Sequence, residues 1–318
     1  MTKPKLLITD DVHPNLITGL EARGYEVEYQ ADISLHQTKE IISHYTGLVI
    51  NSKIKVDRAF IEKADKLKWI GRLGSGMEII DVPAAQERGI QLINTPEANC
   101  QAVAEHALGL LLSLFRNINR ADRELRSWLW NREKNRGKEL QGQTVGIIGY
   151  GHTGPAFAKL LSAFDVKVLV FDKYKQHLEL GPRYEHVKNV ETILNEAGVI
   201  SLHIPLSPET KHLVNEEFFN ACKNSIYLIN TSRGPIVKTT DLVKALRSGQ
   251  VLGACLDVFE NEHPLSYSDE ERKMYEELYA FEQVILSPHI AGWTFESKQK
   301  IAQLLLEKLD TLLWNSMS

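Results

Sequence analysis

Residues 144–154 read TVGIIGYGHTG, an apolar run that ends in a glycine-rich turn. Gly149, Gly151 and Gly154 fit the pattern G-x-G-x-x-G, and a helical stretch, PAFAKLLSAF (155–164), follows directly. Glycines let a backbone turn tightly and approach a pyrophosphate, while a helix N-terminus offers free N–H groups and positive potential. The pattern predicts a strand, a turn and a helix that bind a dinucleotide, where a plain glycine turn is the simpler alternative.

Asp172 ends the next apolar run, VLVFD (168–172). A carboxylate at this point of a dinucleotide fold accepts hydrogen bonds from the adenosine ribose hydroxyls and would repel a 2′-phosphate. We therefore expect NAD as the cofactor rather than NADP. Lys173 and Lys175 leave the strictness of that preference open, since a nearby cation can receive the phosphate.

Six apolar runs in the second half of the chain each end on a residue able to do chemistry. Runs of this length that alternate with helical stretches predict an α/β fold with a parallel sheet. In such a sheet the C-terminal strand ends lie along one edge, where ligands bind. The residues that end or closely follow the six runs are Gly149, Asp172, His203, Arg233, Asp257 and His289.

Composition limits the function classes. A chain of 318 residues predicts two domains, and a formal charge of −4 argues against nucleic acid or an anionic membrane as the main partner. The apolar stretch 102–115 is too short to span a bilayer, and we expect no signal peptide. The three cysteines share no metal-like spacing, so we expect free thiols, no metal and a cytoplasmic protein.

The first ninety-odd residues alternate strands and helices of their own. Asp57 and Asp81 stand where helix N-caps belong, with Pro83 at an early helical position. The expected strands cover 5–10, 25–30, 47–52, 69–74 and 90–95, with helices at 57–65 and 82–88.

Longer patterns connect and complete the two domains. From Asn99 to about Trp130 the spacing predicts one long helix, apolar on nearly every side, and residues 131–143 predict a loop. The stretch 295–313 predicts a terminal amphipathic helix. Residues 263–283 resemble an inserted loop with a charged helix, most simply a solvated face and alternatively part of a dimer contact.

Arg233 and His289 are the strongest candidates for catalysis. A guanidinium can hold a carboxylate by two parallel hydrogen bonds and polarise an adjacent carbonyl. An imidazole titrates near neutrality and can give or take a proton. A carboxylate beside the imidazole would raise its pKa and fix its tautomer; Glu262 and Glu260 both qualify, and their spacing does not decide between them.

The motifs GYGHTG, HIPLSPET, INTSRGPIV, LDVFENEHP and SPHIAGWT, in this order, resemble the D-isomer-specific 2-hydroxyacid dehydrogenase family over nearly the whole chain. The resemblance implies a catalytic trio of Arg233, Glu262 and His289. It also implies two Rossmann-like domains: a discontinuous, flavodoxin-like substrate domain (1–98 plus 290–318) and a doubly wound NAD-binding domain (99–289). Family members are commonly homodimers, which would account for the apolar helix after Asn99.

The resemblance further assigns binding residues. Backbone amides of the loop Leu73–Met77, including Ser75 and Gly76, would hold the substrate carboxylate together with Arg233. Asp257 would meet the nicotinamide carboxamide. The other implied cofactor contacts are His152, Thr153, Asp172, His203, Pro205, Thr231 and Gly292, beside the three glycines of the turn.

The implied reaction is hydride transfer between nicotinamide and C2 of a 2-hydroxy or 2-oxo acid, with His289 as the proton donor or acceptor. Within the family the chain resembles most the short D-3-phosphoglycerate dehydrogenases of serine biosynthesis. Lys53 and Arg72 are candidate phosphate ligands, with Arg132 and Arg136 weaker ones.

Asn51 stands where phosphoglycerate-specific relatives often carry arginine, which leaves glyoxylate or hydroxypyruvate as the alternative substrate, followed by D-lactate-type substrates. A member of another class, a non-enzymatic NAD-sensing corepressor on the same fold, is the further alternative. The intact trio favours an enzyme.

Overall fold

The computed structural model describes residues 3–175 and 183–315. The chain divides into two compact units, one comprising the residues up to Asn99 together with those from Trp293 onward, the other Cys100–Gly292. The sequence placed the domain boundaries at 98/99 and 289/290. Each unit has its own parallel sheet, as the α/β assignment predicts.

The first unit is a five-stranded sheet in the order β2-β1-β3-β4-β5, all pairs parallel. This order is that of flavodoxin-like folds. Its elements in chain order are β1 (Lys5–Ile8), α1 (Pro14–Ala22), β2 (Glu26–Tyr29), α2 (Leu35–Ile41), β3 (Gly47–Ile50), α3 (Arg58–Lys63), β4 (Trp69–Arg72), α4 (Val82–Glu87) and β5 (Gln91–Asn94).

Local sequence signals fix the helix starts in this unit. Asp57 accepts from the Phe60 backbone N–H at 2.8 Å and begins α3, and Asp81 accepts from Ala84 N–H at 3.0 Å and begins α4. Both residues are therefore the predicted N-caps, each satisfying one of the backbone donors that a helix start leaves free.

The second unit contains the elements of the glycine-rich turn. In chain order they are α5 (Cys100–Phe115), α6 (Ile118–Arg126), β6 (Thr144–Ile148), α7 (Thr153–Leu161), β7 (Lys167–Phe171), β8 (Tyr184–His186), α8 (Val190–Glu196), β9 (Val199–Leu202), α9 (Glu216–Ala221), β10 (Ile226–Asn230), α10 (Thr239–Ser248), β11 (Val251–Leu256), α11 (Asp269–Ala280) and β12 (Val284–Leu286). The last helix, α12 (Phe295–Asn315), belongs to the first unit and buries Ala302, Leu305 and Leu309 in its core.

The seven-stranded sheet of this unit has the order β12-β11-β10-β9-β6-β7-β8, again parallel throughout. Chain order reverses between β6 and β9, which is where a doubly wound sheet opens a crevice for ligands. One core covers the face packed by α8–α11, and a second covers the face packed by α5 and α7. The predicted doubly wound fold is confirmed.

Two expectations about helices are wrong. The predicted single helix over 99–130 ends at Phe115 and restarts at Ile118, because Asn117 takes a left-handed conformation (φ 54°) that breaks the hydrogen-bond ladder. The 263–283 segment forms α11 as expected but is not simply a solvated face. Tyr275 and Leu278 lie in the core of the second unit.

The described residues contain no helix that is both long and apolar enough to cross a membrane. The thiols of Cys222 and Cys255 are buried. Among these same residues no group of histidine, cysteine and acidic side chains could hold a metal ion.

Candidate active site

The register of the sheet aligns the ends of six strands. Phe171, Ile148, Leu202, Asn230, Leu256 and Leu286 are successive partners across β7, β6, β9, β10, β11 and β12. The residue after each is therefore at the same edge. These six are Asp172, Gly149, His203, Thr231, Asp257 and Ser287.

The glycine-rich turn is folded tightly at this edge. Gly149 has φ +96°, and a Cβ there would lie 2.3 Å from the His203 carbonyl oxygen. A Cβ on Gly154 would lie 2.3 Å from the Gly149 carbonyl oxygen, so both positions require glycine. Gly151 faces open space instead, which leaves room for a ligand to approach the backbone.

Helix α7 begins on this turn with its first N–H groups uncapped by a side chain within the described residues, His152 being the N-cap. Such a helix start attracts a phosphate. At the same edge of the sheet, within the described residues, the buried Thr231 hydroxyl and the His203 Nδ1 have no hydrogen-bond partner. Uncapped amides, an open glycine and unused polar atoms together fit a dinucleotide.

Asp172 accepts three backbone N–H groups: Tyr150 at 2.7 Å, Tyr174 at 2.9 Å and Lys175 at 3.0 Å. Burial pulls the pKa of its carboxyl upward, but these donors and the Lys175 charge outweigh burial and lower the pKa. The carboxylate is ionised at neutral pH and also fixes the glycine-rich turn through Tyr150.

Lys173 and Lys175, the two lysines that could bind the 2′-phosphate of NADP, both have partners in the protein. The Lys173 ammonium lies 2.6 Å from Glu209, and Lys175 donates to the Tyr150 carbonyl at 2.7 Å. Both ammonium groups already have partners in the protein, so neither is needed to bind the 2′-phosphate of NADP. This is consistent with a preference for NAD.

His203 differs in its surroundings from His289, the candidate catalytic histidine. Its Nε2 hydrogen-bonds the Ser201 hydroxyl at 2.9 Å, and its ring stacks obliquely on Phe157. Burial of the ring lowers the pKa of His203 to about 3, although part of the residue reaches the surface. The imidazole is therefore neutral and does not donate a proton to a substrate at neutral pH.

His289 and Glu262 form a hydrogen-bonded pair. The Nδ1 of His289 lies 2.8 Å from a Glu262 carboxylate oxygen, and the histidine side chain is 48% exposed. Burial raises the pKa of Glu262, but the hydrogen bond and charge of His289, the Phe259 N–H and the charge of Arg233 lower it below the ordinary value. An ionised carboxylate thus orients an accessible imidazole, which is the arrangement of a general acid or base.

Glu260, the other candidate partner of His289, contacts different residues. Its two carboxylate oxygens contact the His212 Nε2 and the Thr239 backbone N–H, each at 2.6 Å. The geometry therefore distinguishes the two glutamates that spacing left equal, since Glu262 pairs with His289.

Arg233 lines the same pocket as Glu262 and His289. Its backbone carbonyl accepts from the Asn230 side chain at 3.0 Å, and its Nη1 donates to the Ser232 carbonyl at 2.7 Å. The three residues follow neighbouring strands β10, β11 and β12. A carboxylate and a carbonyl oxygen of a small substrate fit a guanidinium and an imidazole placed together in this way.

Asp257 is fully buried and receives four donors around the His289 turn. Its carboxylate accepts from Ser287 Oγ at 2.6 Å, Ile290 N–H at 2.9 Å and Ala291 N–H at 2.8 Å. Its backbone carbonyl accepts the His289 N–H at 2.7 Å. The predicted contact of Asp257 with nicotinamide stays a prediction.

His106, on α5, extends this network and was missed by sequence reasoning. Its Nε2 lies 2.8 Å from Ser287 Oγ and 3.5 Å from the Asp257 carboxylate. Burial raises the pKa of the Asp257 carboxyl, but the hydrogen bonds from His106, Ser287 and the two backbone N–H groups outweigh burial. The pKa of Asp257 is therefore below its ordinary value. The only hint in the sequence was a histidine inside an apolar helical stretch. Its partners, Asp257 and Ser287, lie more than 150 residues further along the chain, so the sequence could not identify them.

The expected substrate loop lies in the first unit. Gly74 has φ +139°, and a Cβ there would lie 2.3 Å from Arg72 Nη1, so the guanidinium packs on this loop. Arg72 Nη1 also donates to the Asn51 side-chain oxygen at 3.0 Å, and Asn94 donates to the Ser75 carbonyl at 2.9 Å. The binding roles of Ser75, Gly76 and Lys53 stay predictions.

An open-edged doubly wound sheet with a dinucleotide turn and an acid–base pair defines a nucleotide-dependent oxidoreductase. The model of the family described as "D-isomer specific 2-hydroxyacid dehydrogenase, NAD binding domain" matches residues 108–291. The chain belongs to the D-isomer-specific 2-hydroxyacid dehydrogenase family. It uses NAD and is an oxidoreductase acting on CH–OH donors.

Individual relatives differ in their named substrates. A glyoxylate reductase of Thermofilum pendens is 39% identical over 100% of this chain and 94% of that protein. A D-3-phosphoglycerate dehydrogenase of Methanocaldococcus jannaschii is 35% identical over 97% of this chain and 57% of that protein. The D-lactate dehydrogenase of Aquifex aeolicus, solved with NAD and lactic acid, superposes with a TM-score of 0.82, 26% identity and coverage of 98% of this chain and 96% of that one.

Replacing Asp172 should weaken the choice of NAD over NADP. We expect Asp172→Ala to reduce kcat/KM for NADH and to narrow the NADH/NADPH ratio at least tenfold, because the repulsion of the 2′-phosphate is lost. Glu196→Gln is a matched control, because it removes a carboxylate that pairs with Lys167 at the start of β7, whereas Asp172 follows the end of that strand. An unchanged ratio in Asp172→Ala would exclude this carboxylate from cofactor selection.

Proposed function

We propose that the protein reduces a small 2-oxo acid to the D-2-hydroxy acid with NADH, and catalyses the reverse oxidation with NAD. The observation that carries the proposal is the 2.8 Å pairing of His289 with Glu262 in a pocket shared with Arg233. A donor of protons and a binder of carboxylates are what the reduction of a 2-oxo acid requires.

Each residue of the pocket has a distinct role in this proposal. Arg233 binds the substrate carboxylate and polarises the C2 carbonyl. Protonated His289 gives its Nε2 proton to the carbonyl oxygen, and Glu262 keeps the ring oriented through Nδ1. In oxidation neutral His289 accepts the hydroxyl proton.

The cofactor would be held by the glycine-rich turn, the N-terminus of α7, Asp172 and Thr231. When bound, NADH supplies the hydride to C2. Of the residues that the resemblance assigns to the cofactor, Asp257 and His203 already have protein partners, so we expect them to shape the edge of the sheet as well as to meet the nicotinamide half.

For the substrate we propose glyoxylate or hydroxypyruvate. Asn51 is neutral and accepts from Arg72, while Lys53 donates to the Ala31 carbonyl, so both side chains near the expected loop make contacts within the first unit. The glyoxylate reductase relative supports the same choice. 3-Phosphohydroxypyruvate, the substrate that serine biosynthesis would require, is the second candidate, favoured by the Arg72 guanidinium packed on Gly74.

Initial rates with four 2-oxo acids test the substrate. We expect kcat/KM for glyoxylate and hydroxypyruvate to equal or exceed that for 3-phosphohydroxypyruvate, with pyruvate also measured. A preference of about a hundredfold for the phosphorylated acid, roughly 2.7 kcal/mol in transition-state binding, would instead establish a phosphate pocket. If residue 51 determines the substrate preference, Asn51→Arg should raise kcat/KM for 3-phosphohydroxypyruvate relative to kcat/KM for glyoxylate and hydroxypyruvate.

His289→Ala should greatly lower turnover while cofactor binding persists. The loss should amount to about 100- to 10,000-fold in kcat, the usual contribution of general acid catalysis. NADH binding followed by fluorescence should change by less than threefold. His36→Ala, an exposed histidine in the first unit, serves as the control, and unchanged turnover in His289→Ala would refute the assignment.

We also propose that two copies of the chain associate in the reducing cytoplasm. Every residue of α6 is at least partly exposed, and the segment that follows exposes large apolar side chains. Trp128 is 95% and Trp130 77% exposed, with Ile118, Leu125 and Leu129 about half exposed. Contiguous apolar surface of this kind favours association.

Serine substitutions at Trp128 and Leu129 should weaken the dimer. Light scattering after size-exclusion chromatography should give about 72 kDa, twice the 36.0 kDa chain, for the parent protein and a shift toward the monomer for the double variant. Phe295→Ser, an equally exposed aromatic outside this segment, should leave the mass unchanged. A monomeric parent protein would contradict the proposal.

A further inference from the structure

The segment Phe259–Glu262, here named the acid loop, carries Glu262 and is fixed on three sides. The first contact is steric: a Cβ on Gly234 would lie 1.8 Å from the Phe259 carbonyl oxygen and 2.6 Å from Glu260 N. The chain after Arg233 therefore runs directly against the acid loop. Any side chain at Gly234 would push the two apart.

Glu260 forms the second contact. Helix α10 begins after Lys238, whose side chain can only donate hydrogen bonds and so cannot cap the helix. Glu260 accepts from the first N–H of that helix, on Thr239, and from His212. His212 has φ 54°, and its own N–H donates to the Pro235 carbonyl at 2.8 Å, which connects the acid loop to the segment beside Arg233.

Asn261 forms the third contact, with α11. Its backbone N–H donates to the Tyr275 hydroxyl at 3.0 Å, and its side-chain amide donates to Glu271 at 3.2 Å. Tyr275 is 1% exposed, and its ring meets Phe259 edge to face. Ser268 and Glu271 close a capping box that begins α11, so Glu271 is itself held in place.

We propose that Glu260, Tyr275 and α11 are positioning elements for the catalytic proton, acting through the acid loop on the Glu262–His289 pair. The proposal rests on the proposed function, because it requires that this pair transfer the proton. In this proposal α11 supports the acid loop of its own chain, a role that the sequence analysis did not assign to this segment.

The physical argument concerns a partly exposed carboxylate. Glu262 and His289 are both accessible to water, so their contact does not persist through burial alone. It persists because the backbone that carries Glu262 is anchored at the two preceding residues. Orientation errors of about 1 Å can cost about a hundredfold in rate, so an acid loop that loses one anchor should lose part of that factor.

Tyr275→Phe removes one anchor with the smallest possible change. We expect kcat for 2-oxo acid reduction to fall roughly tenfold with KM within twofold of the parent value. The loss of kcat without a change in KM is the readout, because a displaced Glu262 leaves the imidazole misoriented while Arg233 still binds the substrate. Tyr25→Phe is the matched control, since that buried hydroxyl accepts from Trp69 Nε1 in the first unit and does not contact the acid loop.

Glu260 provides an independent pair of variants. Glu260→Ala should reproduce the effects of Tyr275→Phe, and Glu260→Gln should restore most of kcat because an amide oxygen still accepts the Thr239 N–H. Thermal unfolding of each variant is measured alongside. A lower Tm with unchanged kcat would mean a merely structural role and would overturn the proposal.

Glu262→Gln separates this inference from the proposed function. If Glu262→Gln loses activity while Tyr275→Phe and Glu260→Ala keep the parent kcat, the positioning role fails and the proton-transfer pair stands. If Glu262→Gln itself behaves as the parent protein, both proposals fail.

Discussion

The parallel register of the seven-stranded sheet is the constraint on which the site depends. Because six strands end in one row, the residue that follows each strand is delivered to the same edge without any long loop. The cofactor turn follows β6, while Arg233, Glu262 and His289 follow β10, β11 and β12. A slip of one residue in any pair would turn a site residue to the opposite face, so the packing of both sheet faces also protects the chemistry.

Three acids follow β11 within six residues, and their partners give each a separate task. Asp257 is buried and receives hydrogen-bond donors from the turn that carries His289. Glu260 caps α10, and Glu262 reaches the imidazole. All three are carboxylates in one short segment, so residue type alone could not assign their roles. The roles differ because each side chain leaves the backbone in a different direction and meets a different partner.

Much of the fold could be predicted from the sequence, and so could the pairing of Glu262 with His289 once the family resemblance was recognised. Apolar runs predicted the strands because both faces of a parallel sheet are buried, and Asp57 and Asp81 predicted helix starts because capping is local. The break at Asn117 was missed, since apolar spacing continues through a single left-handed residue. Glu260, Tyr275 and His106 were missed as supporting residues because their partners lie far away in the sequence.

The backbone at His289 shows how the site is maintained. His289 has φ 55°, a left-handed conformation that costs a residue with a Cβ about 1–2 kcal/mol, and glycine would adopt it without that cost. Hydrogen bonds from the Ile290 and Ala291 N–H groups to the ionised, buried Asp257 are of the charged kind, about 1.5–3 kcal/mol each, and offset the strain. Backbone strain that is held in place in this way concentrates at functional sites, which is consistent with the role proposed for His289. The same turn directs the ring toward Glu262, so the strain at His289 and the position of the acid loop are two parts of one arrangement.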